Sequence, residues 1–167
     1  DMINEYDEIH EVSIPIGVSI GEINTAILKA LCRCKKITYI AMNIETGSDR
    51  LLKLIGKKHT CEQVRYVFSE IRKSLPNTKI ATTMMLGLPS ENMGDVLDTA
   101  KIILEAKPTN ILCNFFICSS YSPLAKYPQL SQSCKEYHLR SLLKYLNKAE
   151  GKFGGKYECF ITCWKIP

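Results

Sequence analysis

The sequence predicts an α/β protein in which parallel strands alternate with helical crossovers. Three observations predict it: four apolar segments of strand length, intervening segments whose apolar residues recur at three/four spacing, and helix breakers at the joints. The resulting order, β-α-β-α-β-α-β-α, requires a parallel sheet, because each helix returns the chain to the end from which the next strand starts. Periodicity leaves open whether such a sheet stays open or curls into a barrel.

Residues 11–18 alternate apolar side chains at Val12, Ile14, Ile16 and Val18, with Pro15 interrupting the pattern. Residues 37–44 (ITYIAMNI), 79–86 (KIATTMML) and 111–118 (ILCNFFIC) are more continuously apolar, which predicts strands covered on both faces. Between the strands, Ile23, Ala26, Ile27, Ala30, Leu31 and Cys34 define one helical face. Val64, Val67, Phe68 and Ile71 define a second, opened by a Thr60-x-x-Gln63 capping box. Val96, Leu97, Ala100, Ile103 and Leu104 make a third face, with Asn92 as its N-cap. Leu139, Leu142, Leu143 and Leu146 make a fourth, with Ser133-x-x-Glu136 as its box. An extra helical turn is expected over 48–55, and Pro76-Asn77 and Pro108 fall where helices should stop. Residues 1–150 are expected to form the α/β unit. Beyond it, Gly151 to Gly155 reads as a linker, and residues 157–164 read as a final strand or a tail.

Hydrophobic content of 46% and charged content of 23% exclude a disordered chain. A net charge of +5 permits an anionic partner without requiring one. No apolar stretch is long enough to cross a bilayer and no signal-peptide pattern opens the chain, so a cytoplasmic protein with no membrane partner is expected. The eight cysteines are then expected as reduced thiols. Cys159-x-x-x-Cys163 is half of a metal-ligand pattern without a second half, and His10, His59 and His138 are scattered, so no metal site is expected in this chain.

Three strand ends carry distinctive residues, and ligands of parallel α/β folds gather at the carboxyl ends of strands. After the second strand comes Glu45-Thr46-Gly47-Ser48, where Glu45 is placed to accept hydrogen bonds from ribose hydroxyls or an ammonium group. There Gly47 allows close backbone approach, and Ser48 caps the next helix. After the third comes Gly87-Leu88-Pro89-Ser90-Glu91, a tight turn on which a flat ring could rest. After the fourth comes Ser119-Ser120-Tyr121-Ser122-Pro123. Taken singly, each also reads as an ordinary turn with no ligand, and Lys57-Lys58-His59 also reads as a solvated helix end.

Taken in order, the three motifs resemble the radical S-adenosylmethionine (SAM) superfamily. ETGSDRLLKLIGKKHT is similar to the QSGSD-x-x-LK-x-M-x-RKHT run of tRNA methylthiotransferases and to the GIESGSD run of cobalamin-binding and Elongator-like radical SAM proteins. MLGLPSE resembles the G-F-P-G-E turn of that core, and SSYSPLA its Y-S-P-x-P-G-T run. The resemblance covers residues 10–125. It implies a partial (β/α) barrel of which this chain is the later part, about the third to sixth strands. By the same resemblance Glu45, Thr46 and Ser48 lie beside the SAM ribose or methionine moiety. Gly87 and Pro89 shape the adenine site, and Ile117, Cys118 and Ser119 flank the adenine through backbone. Lys57 stands where methylthiotransferases carry an arginine that meets the SAM carboxylate; lysine keeps the charge and loses the bidentate fork.

Two departures from the pattern carry expectations. The family's C-x-x-x-C-x-x-C, which holds a four-iron four-sulfur cluster, is not among these residues. It belongs upstream, so the first two β/α units are expected to precede Asp1, and this chain alone is not expected to be active. Ser90 replaces the glycine of the P-G-E turn. The implied function is a share of the SAM site and substrate wall of a radical SAM enzyme acting on a small-molecule or RNA substrate. A tRNA methylthiotransferase in particular, and a cluster-less SAM-binding or interaction module, are the alternatives.

Overall fold

Five parallel strands form one sheet in chain order: β1 (Val12–Ser19), β2 (Ile37–Glu45), β3 (Lys79–Leu86), β4 (Asn110–Phe115) and β5 (Cys159–Ile161). The computed structural model describes residues 2–150 and 159–161, with side chains over 2–149. A short α1 (Met2–Glu5) precedes the sheet. The crossovers are α2 (Thr25–Arg33), the short α3 (Asp49–Leu54) followed by α4 (Cys61–Ser74), then α5 (Met93–Ala106) and α6 (Gln132–Glu150). The predicted class and strand order therefore hold, and β5 supplies the final strand. Cys163 and the whole expected linker, Gly151 to Gly155, lie outside the described residues.

Every crossover steps to the next strand on the same side. With right-handed connections that places the helices together on one face of the sheet. They pack in a row there, α2 on α4, α4 on α5 and α5 on α6. The apolar side chains of β2 and β3 that face them, Ile40, Met42, Ile44, Ile80, Met84 and Leu86, are almost wholly buried. They join Val64, Phe68 and Ile71 of α4 and Val96, Ala100 and Ile103 of α5 in two adjoining clusters. Each such side chain contributes roughly 1.5–3 kcal/mol by leaving water.

Among the described residues, helices cover one face, and not both as the apolar runs had suggested. Buried and half-buried residues alternate along β3, and Ala81, Thr83 and Met85 on its second face stay half-buried. The hidden polarity of these strands explains the misreading. Thr82 is buried because its hydroxyl donates to Met42 O at 2.8 Å, and Thr83 donates to Asn43 Oδ1 at 2.8 Å on the second face.

Local signals place most helix starts. Thr60 and Gln63 form the expected capping box of α4, and Asn92 caps α5, with Asp95 completing its box. Ser48 caps α3 through Leu51 N. The fourth box is displaced: α6 begins at Gln132, and its cap is Ser131, whose Oγ accepts from Cys134 N at 3.3 Å. Around Pro15, which has no amide hydrogen to give to a ladder, the register of β1 with β2 slips between Ile14 and Val18. β4 ends at Phe115, three residues short of the predicted end. Its neighbour β3 turns away at Gly87 (φ 80°), and the last bond between them is Phe116 N to Leu86 O at 2.8 Å. Ile117, Cys118 and Ser119 belong to the following loop.

Candidate functional site at the carboxyl end of the sheet

The sheet register brings the three distinctive turns to the same end. Glu45 lies opposite Met84 of β3, and Leu86 opposite Phe115 of β4. Glu45 closes β2 in a left-handed conformation (φ 67°), beside a slip in register between Asn43 and Glu45. A glutamate held at positive φ is uncommon, because its Cβ crowds the backbone. Its carboxylate is only 9% exposed and is held by Lys57 Nζ at 2.6 Å, while Lys57 keeps 32% of its side chain in solvent. Two residues on, His59 is buried with Nε2 3.4 Å from Ile44 O, and its Nδ1 has no hydrogen-bond partner.

Thr46, Gly47 and Ser48 face the protein interior. Thr46 is fully buried against Thr99 of α5, with their hydroxyls 3.3 Å apart. Gly47 N donates to Thr99 Oγ1 at 2.8 Å, and a Cβ on Gly47 would lie 2.4 Å from Thr99 Cα. The close approach that Gly47 permits is thus to a helix backbone. Ser48 Oγ donates to Asp95 Oδ1 at 2.6 Å, and Arg50 reaches the other oxygen of Asp95 at 2.5 Å. Arg50 also binds Ser90 Oγ at 2.9 Å and Ser90 O at 3.0 Å, tying the second turn to the first.

In that second turn Gly87, Leu88 and Pro89 are buried and Ser90 is exposed. Ser90 has φ 61°, so it occupies a conformation that glycine adopts without strain. Glu91 folds back, and its Oε2 accepts from Gly87 N at 2.7 Å and contacts His138 Nδ1 of α6 at 2.7 Å. Side-chain exposures of 2% and 5% make this a buried pair. Burial pushes the Glu91 carboxyl above its ordinary value, against the opposing pull of His138 and the Gly87 amide. Lys135, also on α6, lays its stem over Gly87 and donates Nζ to Phe116 O at 2.5 Å, joining the third turn to the second. Beyond that bond Ile117 is 55% exposed, Cys118 is half-buried and Ser119 is exposed.

The sequence motifs therefore converge at one end, in two different roles. Lys57, Ile117 and Ser119 reach the surface there, Glu45 is nearly buried and held by Lys57, and Thr46, Gly47, Ser48 and Pro89 are packed inward. The Asp95–Arg50 junction and the Glu91–His138 pair were not singled out from sequence. Cys134 and His138, one helical turn apart on α6, were the available signal.

Among the described residues no three His, Cys, Asp or Glu side chains are grouped so as to hold a metal ion, so an iron–sulfur cluster does not fit the residues present. Cys61 is a structural thiol. Burial, followed by its hydrogen bond and charge interaction with Asp49, pushes it up to about 12. A cavity of about 520 Å³ lies away from the strand ends, between α4 and α5. Its arginines are engaged structurally: Arg72 on Thr78 O at 2.9 Å and Lys107 O at 2.6 Å, and Arg65 on Glu105. No described helix is long and apolar enough to cross a membrane.

Singly wound parallel strands joined by helical crossovers define a barrel-related α/β fold, with the three turns gathered at the carboxyl ends of the strands. The profile of the Radical SAM superfamily matches residues 1–103, and the chain belongs to that superfamily. A tRNA-2-methylthio-N(6)-dimethylallyladenosine synthase of Clostridium botulinum is 25% identical over 134 residues, 79% of this chain and 30% of that protein. The chain thus spans about a third or less of the relatives it matches. Among solved structures, Escherichia coli coproporphyrinogen III oxidase (HemN), a radical SAM enzyme, superposes with a TM-score of 0.70 at 18% identity. That match covers 83% of this chain and 32% of HemN. The radical SAM methyltransferase TsrM of Kitasatospora setae, solved with cobalamin and a 4Fe-4S cluster bound, gives 0.54 at 12% identity, over 68% and 22% of the two chains. These two likenesses speak for the fold.

Proposed function

We propose that residues 1–150 are the later part of a partial (β/α) barrel and line the SAM site of a radical SAM enzyme. The cofactors that superfamily membership brings to the full-length protein are SAM and a 4Fe-4S cluster, which together supply a 5′-deoxyadenosyl radical. The cluster ligands belong to a segment outside residues 1–167. The present residues bind and orient SAM and form one wall for the substrate.

The observation that carries this reading is Glu45, a strained, nearly buried carboxylate at a strand end, held by a partly exposed lysine. Strain of this kind persists where surrounding structure enforces it, and it gathers at ligand sites. Glu45 accepts from the ribose hydroxyls, and Lys57 offers its remaining donors to the SAM carboxylate. The turn at Gly87 and the loop at 117–119 present backbone to the adenine. Thr46 and Ser48, committed to α5, act by holding Glu45 in place. A tRNA methylthiotransferase is the second reading, favoured by the GKKHT-containing run and by the Clostridium botulinum relative.

Charge-assisted bonds from Glu45 to a ribose contribute about 1.5–3 kcal/mol each. Adding SAM to the isotope-labelled chain should perturb amides over 45–48, 85–89 and 117–120 together. S-adenosylhomocysteine or sinefungin should mimic it, and Glu45→Ala should remove it. A folded chain whose perturbed amides cluster at another end of the sheet would refute the site assignment. Iron bound by the full-length protein separates the enzyme from a cluster-less binding module.

A further inference from the structure

Cys134, His138 and Glu91 form a chain of contacts that the SAM-site reading does not use. Cys134 lies in the first turn of the 19-residue α6, with its amide bonded to the cap Ser131. Its Sγ is 3.7 Å from His138 Nε2, and Nδ1 of the same ring is 2.7 Å from Glu91 Oε2. The ring is almost fully buried, while Cys134 is partly exposed. Glu91 accepts from Nδ1–H and so fixes the tautomer, leaving the Nε2 lone pair to face the thiol. A nucleophile beside a base that a third group orients is the arrangement that activates side chains for covalent chemistry. The start of a long helix favours the anion that results.

We infer that Cys134, His138 and Glu91 form an activated-thiol site that undergoes exchange with small-molecule disulfides. The thiol proton passes to His138 Nε2. Cys134 Sγ forms a bond to one sulfur of the disulfide as the disulfide's own S–S bond breaks, and the departing thiolate takes the proton back from the imidazolium. The protein thiol is oxidised and the small disulfide reduced, so no other reactant is required. The site lies behind the Gly87 turn, because the Glu91 oxygen that orients His138 also holds Gly87 N.

Cys118 is the internal control. It is also half-buried, and its Sγ donates to a carbonyl oxygen, Ser119 O at 3.4 Å, with no histidine hydrogen-bonded to it among the described residues. The full chain is treated with glutathione disulfide at neutral pH, and adducts are followed by peptide-resolved mass spectrometry. An unassisted thiol is only a few per cent thiolate at that pH, so Cys134 should react faster than Cys118 by roughly 10-fold or more. Glu91→Gln and His138→Gln should each bring the Cys134 rate down towards that of Cys118, and dithiothreitol should remove the adduct. Equal rates for the two cysteines overturn the proposal, as does a folded His138→Gln chain that reacts like the parent. If His138→Gln fails to fold by circular dichroism, the Cys134-to-Cys118 ratio and the Glu91→Gln rate decide.

Discussion

Ser90 shows how one side chain can offset a cost that its family pattern avoids. The radical SAM turn that MLGLPSE resembles carries glycine there, and this serine stands at φ 61°. A left-handed conformation costs a residue with a Cβ about 1–2 kcal/mol. In return the Ser90 hydroxyl accepts from Arg50 at 2.9 Å, while the Ser90 carbonyl accepts from the same guanidinium. Such a bond contributes about 0.5–1.5 kcal/mol net. Ser90→Ala keeps the strain and loses the bond, so it should be destabilised by about that amount. Ser90→Gly loses the bond and the strain together and should stay within about 1 kcal/mol of the parent. Urea unfolding of the three chains orders them, and an alanine variant more stable than the glycine variant contradicts the account.

At the scale of elements, the junction of β2 with α5 is set by backbone contact. A methyl group on Gly47 would meet Thr99 Cα at 2.4 Å, Asp98 O at 2.6 Å and Thr99 N at 2.6 Å. None of these is the end of a flexible side chain, so α5 itself would have to move. Overpacking costs typically about 1–3 kcal/mol, and Gly47→Ala should reach the upper part of that range or exceed it. It should also release the Thr99 bond to the Gly47 amide, seen as faster hydrogen exchange at residue 47; unchanged stability and exchange would show that the helix yields freely. This junction also marks how far the sequence could be read. The Thr60–Gln63 box and the Asn92 cap were legible because such donors and acceptors lie within three residues of each other. The end of β4 depends on where β3 turns away, and the inward roles of Thr46, Gly47 and Ser48 depend on Thr99 and Asp95, about fifty residues distant. Periodicity carries no information about such partners. The motif residues converge at one end of the sheet, and only tertiary contacts separate those that reach the surface from those packed inward.

For the molecule as a whole, a sheet wound in one direction leaves its helices on one side, and closure of each strand-end turn falls to contacts from that layer. Glu91 is the contact that links β3, its turn and α6, with His138 on α6 and Asp95 on α5 as its titratable neighbours. Burial is the largest influence on its carboxyl and raises its pKa. The folded chain therefore binds this proton more tightly than the unfolded chain does. By linkage, the stability that Glu91 contributes is fully present below its unfolded value, about 4.3, and is lost as pH rises through the higher folded value. Glutamine at this position does not titrate and keeps an oxygen that can accept from Gly87 N. Glu91→Gln should therefore gain on the parent as pH rises from about 4 towards 7, even if it is the less stable chain at the lower pH. Urea midpoints of both chains across that range measure the difference directly. A difference that moves the other way would mean that the charged pair with His138 outweighs burial, placing the folded carboxyl below its unfolded value and making the ion pair the source of stability.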